Sequence, residues 1–247
     1  GTTGESPTLS HEEHEQVVAR VVTMVNKRVP VLAGAGSNCT AESLRLVRHA
    51  ERVGADGVLV ITPYYNKPTQ AGLLAHYQAV AAATALPIII YNVPGRTGVS
   101  ILPETVAQLA AIKNIAGVKE ASGSVDVASA ILTSCNVDVL SGDDSLTLPI
   151  MAVGGCGVIS VAANVVPDKM AALTRAVAKG DLATAEQLHR LLYPLCRALF
   201  IETSPGPVKA ALAMMGKIRE NYRLPLVPLQ PANRAKLQAV LENVLAH

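Results

Sequence analysis

Lys119 stands late in an otherwise apolar run, Ile115-Ala116-Gly117-Val118-Lys119-Glu120. An amine in that position either pairs with a neighbouring acid or opens into a cavity, where partial desolvation disfavours its charged form. A neutral lysine amine attacks a ketone and forms a Schiff base. The plainer reading is a strand-end ion pair with Glu120. Tyr91 follows Ile88-Ile89-Ile90 and offers a phenol that can relay a proton, or a rim ring with a wetted hydroxyl. Tyr64 and Tyr65 follow Ile61-Thr62-Pro63 in the same way. Thr2 and Thr3 lie between Gly1 and Gly4, a loop that lets a ligand come close to the backbone. Arg96, just past Pro94-Gly95, carries a planar fork that matches a carboxylate, or is a solvated loop cation. Taken singly, each of these residues has an ordinary structural role. Taken together, hydroxyls, one amine and one guanidinium at the ends of separate apolar runs suit a carbonyl substrate that also bears a carboxylate. The paired acids of a glycosidase and the His-rich set of a hydrolytic metal site are not in this pattern.

Three other motifs carry weaker signals. His11-Glu12-Glu13-His14 spaces its histidines three apart, whereas the zinc-protease helix needs four. Asp143-Asp144 suits a helix start, where acids complement the dipole, better than Mg²⁺. Gly154-Gly155-Cys156-Gly157 precedes an apolar run rather than a helix, so a tight turn fits it better than a phosphate cradle.

The elements that must position these side chains follow from periodicity. Six short β-rich runs, 29–34, 57–62, 87–93, 115–120, 137–141 and 157–162, are apolar on both faces, as parallel strands covered by helices must be. Helical patterns separate them. Ser10 and Glu13 form a capping box that opens a helix to about Asn26. Thr40 is read as the cap of a helix ending at Gly54, and Pro103 and Pro167 suit first helical positions. Crossovers are expected at 72–84, 125–134 and 145–152, and a purely helical tail at 168–179, 182–200, 206–215 and 231–245. This alternation leaves a doubly wound sheet or a (β/α)8 barrel. No run is followed by a complete GxGxxG, and polar residues sit at the carboxyl ends of nearly all runs, which favours the barrel. The expectation is a TIM (β/α)8 barrel, N-terminally incomplete, with a C-terminal helical extension. Residues 1–165 form the partial barrel, and residues 166–247 add its last helix and the helical region within the same structural unit.

The composition agrees. The 247 residues are 50% hydrophobic and 16% charged, with a formal net charge of +2, and the mean hydropathy is +0.33. That excludes a disordered chain and gives no electrostatic footprint for nucleic acid. With no Trp and a single Phe, base stacking has no platform. The apolar runs are far short of a membrane span, and no signal-peptide pattern opens the chain. The four cysteines are scattered, with no CxxC, which fits a thiol-keeping compartment such as the cytoplasm.

Gly1-Thr2-Thr3-Gly4-Glu5-Ser6, Thr62-Pro63-Tyr64-Tyr65-Asn66, Tyr91-Asn92-Val93-Pro94-Gly95-Arg96-Thr97-Gly98, Val118-Lys119-Glu120-Ala121 and Ser141-Gly142-Asp143-Asp144 together resemble the pyruvate-dependent class I aldolases, the family that includes the N-acetylneuraminate lyases. The resemblance spans the chain. It implies a lyase that condenses pyruvate with L-aspartate-4-semialdehyde through a Lys119 Schiff base, giving 4-hydroxy-tetrahydrodipicolinate on the diaminopimelate route to L-lysine. Tyr91, Thr3 and Tyr65 would form a proton relay, with Tyr65 reaching in from a neighbouring subunit. Thr2 and Thr3 would hold the pyruvyl carboxylate, Arg96 the carboxylate of the second substrate, and Gly142 and Ile159 would place backbone groups beside Lys119. No metal or organic cofactor is implied. The Thr2-Thr3 pair and the Val-Pro-Gly-Arg-Thr-Gly loop point away from the sialic acid and keto-sugar-acid lyases, which remain the alternative.

The resemblance further implies an allosteric L-lysine site at Ser6, His11, His14, Asn38, Glu42 and Tyr64, with Glu42 meeting the ligand's α-ammonium and neutral His14 its ε-ammonium. Pro7 departs from the small residues usual there. It also implies a homotetramer of two tight dimers. Members of the family carry roughly 40 further residues, a strand, a helix and a strand, before this point. Without them the runs near Val29 and Gly157 would face an open seam, and the 247-residue chain alone is expected to be impaired.

Overall fold

The computed structural model describes residues 1–246. Six parallel strands form one sheet in sequential order: β1 (Leu32–Gly34), β2 (Gly57–Ile61), β3 (Ile88–Asn92), β4 (Ile115–Glu120), β5 (Asp138–Ser141) and β6 (Gly157–Val158). Helices α1 (His11–Val25), α2 (Thr40–Arg52), α3 (Gln70–Ala82), α4 (Pro94–Thr97), α5 (Pro103–Ala110), α6 (Val125–Ser134) and α7 (Thr147–Ala152) precede and link the strands. Four more follow: α8 (Pro167–Ala178), α9 (Leu182–Ala198), α10 (Gly206–Met214) and α11 (Pro231–Ala246). Neighbour-to-neighbour parallel order, with a helix after each strand, is the winding of a (β/α)8 barrel and not of a doubly wound sheet, whose strand order reverses at a switch point.

The central strands match the apolar runs because both of their faces are covered; all five residues of β3 are buried. The edge strands are shorter than their runs suggest. Val29 and Leu32 are exposed and Pro30 offers no N–H, so β1 starts only at Leu32. After β6, the N–H groups of Val161 and Ala162 donate to Asp144 Oδ2 at 3.1 and 2.9 Å, and the chain turns away from the sheet.

The capping box forms as read: the Ser10 N–H donates to Glu13 Oε2 (2.9 Å) and the Glu13 N–H to Ser10 Oγ (3.2 Å). Thr40 is not a cap. Cys39 occupies that position, Thr40 is the first helical residue, and its hydroxyl pairs instead with His76 Nδ1 at 3.0 Å. The α4 turn, with Pro94 in its first turn and Gly98 at φ +74° closing it, was not anticipated.

The apolar interior falls into two clusters. One runs from Ala33 to Ile150 between the sheet and its helices. The other, from Val161 to Val244, joins the end of β6 to α8, α9, α10 and α11. Helix α10 and the segment that follows it clamp the far end of the chain onto its start: Lys209 Nζ on α10 reaches both Glu5 carboxylate oxygens at 2.9 Å, and Arg223, between α10 and α11, forks onto Glu13 at 2.6 and 2.8 Å.

Candidate active site

In the parallel register Tyr91 on β3 lies opposite Lys119 on β4, so both side chains leave the same face of the sheet. The Lys119 Nζ sits 4.1 Å from the centroid of the Tyr91 ring. Both residues are buried, Lys119 at 9% and Tyr91 at 6% exposure. Burial pulls the Lys119 pKa from 10.5 down to about 8, against the opposing pull of Asp144 and Asp143. Burial likewise raises the Tyr91 pKa, partly offset by Arg96 and by a hydrogen bond with the Thr2 side chain.

Glu120 does not neutralise Lys119. Neighbours on a strand point to opposite faces, and the Glu120 carboxylate is bound elsewhere: Asn92 Nδ2 donates to Oε2 at 2.8 Å and the Ser122 N–H to Oε1 at 2.6 Å. The strand-end ion pair is therefore replaced by a lysine that opens into a cavity.

That cavity, of about 310 Å³, is lined by Thr2, Thr3, Tyr91, Arg96, Lys119, Gly142 and Ile159, among others. Thr2 and Thr3 sit in a 3-10 turn, Thr2–Gly4, whose leading N–H groups have no partner inside the turn. Arg96 is carried by α4 at the rim and is exposed. Gly142 is required by space: a Cβ there would lie 2.5 Å from Ala121 Cβ and 3.1 Å from Lys119 Cε. Its N–H donates to the Glu120 carbonyl (2.7 Å) and the Ile159 N–H to the Ser141 carbonyl (2.9 Å), so neither N–H is free for a ligand. Thr2 and Thr3 both line this cavity with Tyr91, and the Thr2 hydroxyl beside the phenol lowers its pKa. Tyr65 is apart from it, 87% exposed, at φ +74°.

A second cavity, of about 370 Å³, collects Ser6, His11, His14, Glu42 and Tyr64 and shares Thr2, Tyr91 and Arg96 with the first. Asn38 does not line it; its carbonyl accepts from Asn66 Nδ2 at 2.9 Å. His14 Nε2 lies 2.9 Å from the Gly34 carbonyl, which can only accept, so that nitrogen carries the proton and Nδ1 keeps a lone pair. Burial lowers the His14 pKa. Glu42 accepts from the Ser37 hydroxyl at 2.5 Å and faces His11 Nε2 at 3.6 Å.

Sequence reasoning missed several lining residues. Ser160, Asn164, Phe200 and Ser204 complete the Lys119 cavity, the last two from the helical tail. Asp144, read as a dipole partner of its own helix, is buried and binds the Val161 and Ala162 N–H groups on a different segment. Asp143 lines the cavity itself. Their position after a strand was the available signal; their separate orientations were not visible in two adjacent identical letters.

Known proteins resemble this chain over nearly all of its length. Residues 1–244 match the profile of the "Dihydrodipicolinate synthetase family". A 4-hydroxy-tetrahydrodipicolinate synthase of Geobacter sp. (strain M21) is 57% identical over 244 residues, covering 98% of this chain and 84% of that protein. The structure of the 4-hydroxy-tetrahydrodipicolinate synthase from Methylacidiphilum fumariolicum SolV superposes with a TM-score of 0.99 at 51% identity, covering 100% of this chain and 83% of that one. A dihydrodipicolinate synthase of Cyanidioschyzon merolae, solved with lysine bound, superposes with a TM-score of 0.97 at 37% identity, covering 100% and 85%. A buried lysine on the fourth of six sequential parallel strands, a tyrosine beside it and this breadth of likeness lead to one conclusion: the chain belongs to the dihydrodipicolinate synthetase family.

Proposed function

We propose that this chain condenses pyruvate with L-aspartate-4-semialdehyde to give 4-hydroxy-tetrahydrodipicolinate, a step toward L-lysine. The observation that carries the reading is the buried Lys119 amine stacked on the Tyr91 ring. Its neutral form adds to the pyruvate ketone, water leaves, and an iminium remains. The iminium withdraws electrons, so a methyl proton departs and an enamine forms. The enamine carbon attacks the aldehyde. The substrate's amine then displaces Lys119 and closes the ring. The iminium supplies the electron sink, so the chemistry requires no metal or organic cofactor.

In this reading Thr2 and Thr3 hold the pyruvyl carboxylate and Arg96 the carboxylate of the second substrate. Tyr91 moves protons in a relay with Thr3, which lines the same cavity. Gly142 leaves room beside Lys119, and Ile159 closes the wall. Tyr65, projecting into solvent from a left-handed backbone position, suits a residue that enters a neighbouring subunit's site in a homotetramer. The partial barrel, residues 1–165, and the helical region, residues 166–247, work as one unit, since Phe200 and Ser204 line the cavity. Four free cysteines suit the cytoplasm.

The second cavity is read as an L-lysine site for feedback inhibition, with Glu42 facing the α-ammonium and the His14 Nδ1 lone pair the ε-ammonium. Asn38 would join it only after a local shift, since it does not line the cavity. The wall shared through Tyr91 and Arg96 gives such a ligand direct access to catalytic groups.

The test is product analysis with both substrates, together with borohydride reduction in pyruvate alone. A pyruvyl mass on Lys119 and the cyclic product support the assignment. An unmodified lysine overturns it, and a modified lysine with no product from the semialdehyde moves the chain to another aldolase specificity.

A further inference from the structure

Ring closure sets a requirement that the assigned residues do not meet. L-Aspartate-4-semialdehyde carries a carboxylate, an aldehyde and an α-ammonium, and only its free amine can attack the iminium carbon. The ammonium must lose a proton beside Lys119 Nζ, because that is where the new C–N bond forms. Thr2, Thr3, Arg96 and Lys119 carry no negative charge, and Tyr91, whose pKa is raised by burial, is poorly suited to receive a proton from an ammonium.

Among the described residues lining the Lys119 cavity, Asp143 is the one carboxylate. It follows Gly142, whose missing Cβ would touch Lys119 Cε at 3.1 Å, so the chain passes from the lysine's flank to the acid in a single residue. Its backbone is fixed. The Ser141 hydroxyl donates to the Asp143 carbonyl at 2.7 Å and accepts from its N–H at 3.3 Å, and the Leu146 N–H donates to the same carbonyl at 3.0 Å. The hydrogen bonds that hold Asp143 go to its backbone and leave the carboxylate available to a ligand. Its neighbour differs. Asp144 accepts the Val161 and Ala162 N–H groups through Oδ2, its Oδ1 is buried without a hydrogen-bond partner, and the residue does not line the cavity. Burial, with Asp144 adjacent, raises the Asp143 pKa, which makes the carboxylate a stronger base than one in water.

We propose that Asp143 receives the α-ammonium of the second substrate and acts as the general base for ring closure. This rests on the reading of Lys119 as the Schiff-base residue and Arg96 as the carboxylate ligand; the substrate's two charges are then met by an arginine and an aspartate on different walls. Asp143 takes one proton from the ammonium. The freed amine's lone pair forms the C–N bond to the iminium carbon, and the iminium π electrons move to Lys119 Nζ. Through the carboxyl group a proton passes from the new ring nitrogen to Nζ. The C–Nζ bond breaks, its electrons leave with the neutral lysine amine, and the ring nitrogen's lone pair forms the ring C=N. The proton still on the ring nitrogen and the proton left on Asp143 both depart to solvent, leaving the neutral ring imine and a carboxylate.

The experiment is Asp143→Asn, studied with pyruvate alone and with both substrates, each quenched with borohydride and read by intact mass and peptide mapping. With pyruvate alone, Lys119 of the variant acquires the pyruvyl mass. With both substrates, turnover falls by roughly a hundredfold or more, and Lys119 carries the combined mass of both carbon skeletons, the adduct stalled before ring closure. Asp143→Glu, which retains the carboxylate, regains part of the turnover. Wild-type turnover in Asp143→Asn overturns the proposal. A fall in rate with only the pyruvyl adduct does so too, because the block then precedes carbon–carbon bond formation. Loss of pyruvate trapping in both variants also overturns it, by placing Asp143 in Schiff-base formation. A wild-type protein that fails to trap pyruvate sinks the Lys119 reading instead, so the two failures are distinct.

Discussion

At pH 7 a lysine that titrates near 8 is ~10% neutral, against ~0.03% for one with the ordinary value of 10.5. The shift multiplies the reactive form of Lys119 by about 300, with burial as its largest cause and the Arg96 cation adding to it. The sign fixes a pH dependence. The amine is the nucleophile, so the rate of Schiff-base formation with pyruvate should climb as pH rises toward 8 and flatten above it. Trapping rates measured from pH 6 to 10 check this; a rate still climbing tenfold per pH unit at 9 would mean an unshifted lysine. Lys119→Ala should give no adduct at any pH. Arg96 sits at the rim and is exposed, so its loss should spare the first half of the reaction. Arg96→Ala is expected to trap pyruvate normally and to raise the KM for the semialdehyde at least about tenfold, as loss of a charge-assisted carboxylate contact does. Equal losses for both substrates in steady-state kinetics would place Arg96 elsewhere in the cycle. The type of each of these residues was readable directly. The partner of each was not: Glu120 is next to Lys119 in sequence and belongs to the opposite face of the strand.

The elements were legible where one local rule acted alone. The Ser10–Glu13 box needs only four residues, and it forms. Pro103 and Pro167 open their helices for a similarly local reason, since each lacks the N–H that a first turn leaves unpaired. Ser10→Ala removes the hydroxyl that accepts the Glu13 N–H, and should cost about 1 kcal/mol in chemical denaturation. Retention of wild-type stability would show that Arg223, which grips Glu13 from across the molecule, suffices to hold this helix end. Local rules failed where a distant group intervened. Thr40 has the chemistry of a cap, but His76 takes its hydroxyl. The run 157–162 has the composition of a full strand, but the Asp144 carboxylate captures two of its N–H groups and β6 ends at Val158.

For the whole molecule, the two ends of the chain meet at the site. Glu5 closes the turn that carries Thr2 and Thr3, and Lys209 on α10 holds both of its carboxylate oxygens. Lys209→Met should loosen that turn and raise the KM for pyruvate severalfold while leaving the Lys119 adduct intact; an unchanged KM would show that the turn is set by its own backbone. The regulatory reading is tested on the same scale. Initial rates should fall on addition of millimolar L-lysine and become insensitive to it in Glu42→Ala, and a wild-type protein untouched by L-lysine would remove that assignment. Alternation of apolar runs with amphipathic ones specified parallel strands and their sequential winding, because hydrophobic periodicity is written residue by residue and needs no partner to be read. The amine, the phenol, the guanidinium and the threonine pair were likewise plain as residue types. Folding alone settled which charges face each other. Burial, strand register and the space left by Gly142 depend on atoms far apart in the chain, so the depressed lysine pKa, the convergence of the threonine pair on Tyr91 and the different environments of Asp143 and Asp144 exist only once the sheet and the helical tail have closed around them.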